Sequence, residues 1–184
     1  MEDLSLHILD IVENSVTAGA TFVSITVCED KGHDLLSIEI TDNGKGMSRG
    51  ILQKATDPFF TQKTTRRVGL GLSLLQQAAK RANGKFSIES KKGKGTTVKA
   101  SFQYSHVDRQ PLGDIAETIE TLVIGNPSVD FRYEHRENGL LSVFDTEAIG
   151  EQLAGAPISS PKGIRIIREI LKKTKMNLTG TDSR

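Results

Sequence analysis

The stretch Thr41-Asp42-Asn43-Gly44-Lys45-Gly46-Met47 follows an apolar run, Leu35 to Ile40, in which Leu36, Ile38 and Ile40 alternate with other residues. Alternation of period two marks a strand with one covered face. A strand that stops in an acid and then runs Gly-x-Gly fixes the carboxylate of Asp42 at the edge of a sheet. Gly44 and Gly46 remove side chains, so that backbone can lie close to a flat ligand. An ionised carboxylate only accepts hydrogen bonds, so Asp42 can take one from an exocyclic amine such as that of adenine. The plainer reading is a surface loop that uses Asn-Gly turn chemistry. Three further stretches bear on the choice.

Asp10 and Asn14 stand one helical turn apart and share a face. An amide oxygen suits Mg²⁺, which takes oxygen donors and keeps its waters. A neighbouring carboxylate can orient or deprotonate a water. The ordinary alternative is a polar helix face. Gly69-Leu70-Gly71-Leu72-Ser73 opens a helical pattern, and glycines at a helix start leave N–H groups free to face an anion such as a triphosphate. A flexible hinge explains the same glycines. The dinucleotide fingerprint lacks its third glycine, because position 74 is Leu, and Walker A spacing is absent. Gly93-Lys-Gly95-Thr96-Thr97 joins two strands as a turn, and Thr97 can set a hydroxyl near whatever Asp42 holds.

Outward from these stretches, Leu4 to Ala18 reads as a helix with Leu4, Ile8, Ile11, Val12 and Ser15 inward, ended by Gly19. Thr21 to Asp30 alternates as a strand. Met47 to Val68 is long and irregular and carries Lys54, Lys63, Arg66 and Arg67 around Phe59-Phe60, as functional lids do. Gly69 to Ala82 reads as a helix stopped by Asn83-Gly84. Strands follow at Phe86 and Ile88, and from Thr96 to Tyr104 with Val98, Ala100, Phe102 and Tyr104 on one face. One-sided strands imply a mixed, mainly antiparallel sheet with helices on its covered face. The expected fold is therefore an α/β (α+β) two-layer sandwich ending near Tyr104.

Residues 1–105 form the expected domain, and 106–184 a small C-terminal extension of helix, hairpin and helices. Ser105 to Gly113 reads as a linker or crossover, and Asp114 to Ile124 as a helix. Asn138-Gly139 joins two strands, Val129 to His135 and Leu140 to Phe144, as a hairpin. Asp145 caps a short helix to Leu153, and Ser160-Pro161 starts a last helix to about Lys175. The expectation for this extension is partner binding or self-association ahead of simple core extension.

The 184 residues carry a formal net charge of +1, with 36% hydrophobic and 26% charged residues. Nothing in that balance points to nucleic acid or an anionic membrane. No apolar run approaches the ~20 residues of a membrane span. Met-Glu-Asp-Leu-Ser lacks a signal-peptide layout and Cys28 stands alone, so a cytoplasmic setting is expected. His7, His33, His106 and His135 show no metal-ligand spacing and are read as structural or exposed.

In order and spacing the motifs resemble the ATP-binding domain shared by histidine kinases, DNA gyrase, MutL-type mismatch-repair proteins and the heat-shock chaperone of the same superfamily, the GHKL or Bergerat fold. The resemblance runs from about Leu4 to Tyr104. Asp10-Ile-Val-Glu-Asn14 looks like the N box, and Asp42-Asn-Gly-Lys-Gly46 like the first glycine box. Asp57-Pro-Phe-Phe-Thr61 looks like the F box, Gly69-Leu-Gly-Leu72 like the second glycine box, and Gly93-Lys-Gly-Thr-Thr97 like the last glycine motif. The run from Pro58 to Thr97 is most similar to histidine kinases, whereas Val12 to Ala20 is closer to the MutL type.

The resemblance implies ATP and Mg²⁺. Asp42 would accept from the adenine amine, with Gly44, Gly46 and Met47 around the base, and Thr97 would close the base pocket. Asn14 would ligate Mg²⁺. The backbone of Gly69, Leu70 and Gly71 would hold the phosphates, Leu72 would belong to the same nucleotide site, and Lys63, from a lid spanning Met47 to Val68, would reach the terminal phosphate. Two departures stand out. Hydrolysing members carry Glu where Asp10 stands, one methylene longer. The phosphoacceptor pattern His-Glu-x-x-x-Pro is absent around His7. The expected function is a stand-alone histidine-kinase-like or anti-sigma-type phosphotransferase or regulatory subunit, acting on a partner protein or phosphoacceptor in trans, with a homodimer compatible. The alternative is a nucleotide-dependent binding switch or slow ATPase. A DNA-repair-type clamp is the weakest reading, given the near-neutral charge.

Overall fold

The computed structural model describes residues 2–57 and 70–179, without the side chains of Leu70 and of residues 175–179. Asp3 caps the first helix, α1 (Leu4–Thr17), by accepting from the Leu6 N–H at 3.1 Å. The first N–H groups of a helix have no partner inside it. Those of Leu4 and Ser5 donate to the carbonyls of Pro111 and Leu112, both at 2.9 Å, so a distant crossover segment completes the start of α1. At the other end Gly19 takes φ +76°, the left-handed conformation that glycine adopts without penalty.

Strands β1 (Phe22–Asp30) and β2 (Leu35–Asp42) pair antiparallel, with Ile25 opposite Ile40. Inside the stretch read as irregular, Arg49–Leu52 forms a single turn, α2. Helix α3 (Leu70–Arg81) ends at Asn83, whose φ is +52°. Strands β3 (Phe86–Lys91) and β4 (Gly95–Gln103) form a hairpin, and β4 lies antiparallel to β2 with Val98 opposite Ile40. Val23, Ile25, Val27, Leu36, Ile38 and Ile40 are buried on the covered face, where they meet Leu4, Ile8, Ile11 and Val12 of α1. Each such side chain contributes about 1.5–3 kcal/mol on burial.

The sheet does not stop at Tyr104. A parallel neighbour needs a long crossover, and helix α4 (Ile115–Gly125) supplies it, packed beside α1. Strand β5 (Asp130–Glu137) then lies parallel to β1, with Phe22 opposite Asp130 and Val27 opposite His135. Strand β6 (Leu140–Asp145) returns through a turn in which Asn138 and Gly139 take φ +48° and +88°, the two positive values that a tight two-residue hairpin needs. Helix α5 (Thr146–Leu153) is capped by Asp145, and α6 (Pro161–Thr179) runs to Thr179, beyond the Lys175 read from sequence. The strand order is β3-β4-β2-β1-β5-β6, and only the β1–β5 pairing is parallel among the described residues. The architecture is a mixed, mainly antiparallel sheet with helices on one face. Strands β5 and β6 thus add two of the six strands to one edge of the same sheet.

Two histidines read as structural or exposed are buried. His135 bridges strands: Nδ1 lies 2.9 Å from the Tyr133 hydroxyl and Nε2 2.9 Å from Glu29 Oε1. That hydrogen bond is the main reason the Glu29 carboxyl is held below its ordinary range, while burial pushes the Tyr133 phenol up. His7 is 2% exposed; Nε2 lies 3.0 Å from Gln110 Oε1, and burial lowers its pKa.

Candidate functional site

Where α1 leaves the ends of β2 and β4 uncovered, a cavity of about 260 Å³ opens. Asp42 is its floor, only 8% exposed. Two internal donors steady its carboxylate: the Gly44 N–H reaches Oδ1 at 2.8 Å, and the Ser15 hydroxyl reaches Oδ2 at 2.7 Å. Each oxygen keeps lone-pair capacity for a donor arriving from the cavity. Ile11, Ile40, Ile88 and Val98 supply apolar wall, as a flat ring requires.

The loop after Asp42 is held from both sides. The Asn43 side chain accepts from the Thr21 and Phe22 N–H groups at 2.9 and 3.0 Å, locking it to the start of β1. The Lys45 main-chain N–H donates to the Ala18 carbonyl at 3.0 Å, and its carbonyl accepts from the Gly93 N–H at 2.7 Å. Gly46 has φ +59°, and a methyl group there would run into the Lys91 carbonyl and come within 2.9 Å of Gly95 O. Backbone thus lies on backbone at this point, and side chains are excluded for that reason.

Of the residues singled out from sequence, Asn14, Asp42, Gly46, Met47 and Leu72 line the cavity, and Gly44 is buried beneath Asp42. Asp10 does not line it. Its carboxylate packs against Gly71 in the first turn of α3, where a methyl group would lie 2.8 Å from Asp10 Cγ. The glycine therefore lets α1 and α3 approach. Leu70 opens α3, while Lys63, Gly69 and the F box beyond Asp57 lie outside the described residues.

Thr97 falls on the other face. It pairs with Thr41 across the strands, and the two hydroxyls meet at 3.1 Å on the side away from the helices. Thr96 is the threonine opposite Asp42 and lines the cavity. Strand parity carries the signal, since Thr96 shares the alternation of Val98, Ala100 and Phe102. Ser15 was also missed as a site residue, although it is the one polar member of the α1 stripe.

The donor set fits a purine nucleotide with a metal. An acceptor-bearing floor between apolar walls suits a base that carries an amine. No cluster of three His, Cys, Asp or Glu that could hold a metal exists among the described residues. An Mg²⁺ here would have Asn14 as protein donor, with phosphate and water completing its shell. Among the described residues no helix is long and apolar enough to cross a membrane.

Residues 2–106 match the family described as histidine kinase-, DNA gyrase B-, and HSP90-like ATPase. Sensor protein DegM of a Bacillus species is 34% identical over 91 residues, covering 50% of this chain and 24% of that protein. Sporulation kinase B of Bacillus subtilis is 34% identical over 98 residues, covering 52% and 22%. The chain thus spans under a quarter of the length of these curated relatives. The crystal structure of the N-terminal domain of a DNA repair protein shares the fold with a TM-score of 0.60 at 18% identity, over 90% of this chain and 59% of that one.

Proposed function

Because the chain belongs to the histidine kinase-, DNA gyrase B-, and HSP90-like ATPase family, we propose that it binds ATP with Mg²⁺ in the Asp42 cavity and acts as a phosphotransferase or regulatory subunit on a partner protein. The observation that carries the reading is the buried Asp42 carboxylate, fixed by Ser15 and Gly44 and open to an apolar-walled cavity. Asp42 accepts from the base amine, Gly46 and Met47 bound the ring, and Asn14 offers its amide oxygen to the metal. When bound beside Asn14, Mg²⁺ would supply neutralisation of the phosphate charge. The chain's part is positioning and charge complementarity, and by the family pattern the Lys63 cation and the backbone N–H groups of Gly69 to Gly71 would serve the phosphates. The acceptor in trans is a protein side chain, and a homodimer is compatible with the same site.

Titration of the full chain with ATP and Mg²⁺ tests the binding. Saturable binding that Asp42→Asn removes supports the reading, and no binding by the unaltered chain sinks it. Movement of label from the γ-phosphate to a protein acceptor tests the transfer.

A second reading, a nucleotide-dependent switch or slow ATPase, draws support from Asp10. Its carboxylate is one methylene shorter than the Glu of hydrolysing members, and it packs against Gly71 in the first turn of α3. On this reading bound ATP, acting through residues 47–68, would switch partner recruitment on. Lid proteolysis unchanged by ATP and Mg²⁺ would remove it.

A further inference from the structure

Thr96 on β4 stands opposite Asp42 on β2 and opposite Ser90 on β3, so the three side chains share one row of the helix-covered face. The Ser90 hydroxyl meets three partners. It accepts from the Met47 N–H at 2.8 Å, donates to the Gly95 carbonyl at 2.9 Å, and lies 2.9 Å from Thr96 Oγ1. A hydroxyl has one proton and two acceptor sites. With its proton on Gly95 O, Ser90 is bonded to Thr96 only if Thr96 is the donor. The reverse assignment makes two of these bonds instead of three and leaves the Thr96 proton unused, and part-buried polar groups favour the fuller set. Thr96 therefore turns only lone pairs to the cavity. Asp42, already accepting from Ser15 and Gly44, does the same.

We propose that Ser90 is a positioning residue for purine selection: by taking the Thr96 proton it keeps the cavity floor acceptor-only, favouring a 6-amino over a 6-oxo purine. The proposal rests on reading the cavity as a nucleotide site. Side chains directly opposed on neighbouring strands have Cβ atoms roughly 4.5–5.5 Å apart, so a ring substituent bonded to Asp42 lies beside Thr96. An amine brings two protons to two acceptors. A carbonyl oxygen brings none and faces lone pairs on both sides.

Adenosine diphosphate and inosine diphosphate differ at this edge of the base, and titrating the full chain with each tests the proposal. The unaltered chain should prefer the adenosine form. Ser90→Ala should narrow that preference about fivefold, the scale of one hydrogen bond, chiefly through tighter inosine diphosphate as the released Thr96 proton turns inward. Ser90→Thr, which retains a hydroxyl, should keep the original ratio. Should Ser90→Ala not fold, Thr96→Val removes the acceptor while leaving Ser90 its bonds to Met47 and Gly95, and should narrow the ratio too. Equal loss of both ligands in Ser90→Ala, or an unchanged ratio, would show that Ser90 only braces the turn and would overturn the proposal. An unaltered chain that binds both ligands alike would sink the selection and leave nucleotide binding standing. One that binds neither would remove the nucleotide reading itself.

Discussion

The Ser15 hydroxyl donates to Oδ2 of Asp42 across 2.7 Å, joining α1 to the end of β2 at positions 4% and 8% exposed. A buried donor on a carboxylate fixes which lone pairs remain for a ligand. Asp42→Asn replaces one acceptor by an N–H₂ donor and should abolish adenine-nucleotide binding with the fold intact. Ser15→Ala should weaken binding about tenfold, the scale of a hydrogen bond to a charged group. Isothermal titration of both variants reads this, and unchanged affinity in Asp42→Asn would refute the role of the floor.

Asn14 lines the cavity from α1, one turn after Asp10. If its amide oxygen serves the metal, Asn14→Ala should lower affinity for Mg-nucleotide by about tenfold or more while leaving metal-free adenosine nearly unchanged. Equal losses with and without metal would contradict that role.

Thr96 and Thr97 are neighbours in the chain and face opposite sides of the sheet. Thr97→Val should leave nucleotide affinity within about twofold of the original, because it alters only the contact with Thr41. Thr96→Val changes the cavity itself. Parallel titrations compare them, and a larger effect from Thr97 would place the cavity on the wrong face.

Gly46 combines φ +59° with a Cβ path blocked by the Lys91 carbonyl. Gly46→Ala should cost about 3 kcal/mol or more, strain and displaced backbone together. Gly50 is unobstructed, with nothing within 4 Å of its Cβ position, and Gly50→Ala is the control. Chemical denaturation of the two variants gives the comparison.

The His135–Glu29 hydrogen bond holds the Glu29 carboxyl below its ordinary value near 4.5. A carboxylate whose folded pKa is depressed contributes stability at pH values above its unfolded pKa, and that contribution is lost as pH falls through the folded value. Glu29→Gln should therefore cost about 1–2 kcal/mol at neutral pH and flatten the decline of stability below about pH 4.5. Urea midpoints measured from pH 7 to pH 3 test both parts.

Much of the site was legible because its chemistry is local. Asp42 followed by Gly44 and Gly46 announces a carboxylate beside bare backbone, and the Asp10–Asn14 spacing places both on one side of α1. Asn138-Gly139 marks the hairpin because two positive φ values in succession need such residues. Asp10 shows the limit. Its spacing from Asn14 says which face it shares, but its carboxylate meets Gly71 on α3, and that contact follows from helix packing.

By itself, then, the amino-acid order determined the half-covered strands, the first helix and its glycine stop, the hairpin, and the acid-glycine loop at the end of β2. Periodicity, capping and φ preference act over a few residues and leave their mark in the chain. Only the tertiary structure decided that β5 continues the sheet beside β1, that Thr96 rather than Thr97 meets the cavity, and that the Ser15 and Ser90 hydroxyls stand within hydrogen-bond reach of Asp42 and Thr96. Those depend on which strands become neighbours and in what register. That choice is made by burying distant apolar faces together, and no spacing along the chain records it.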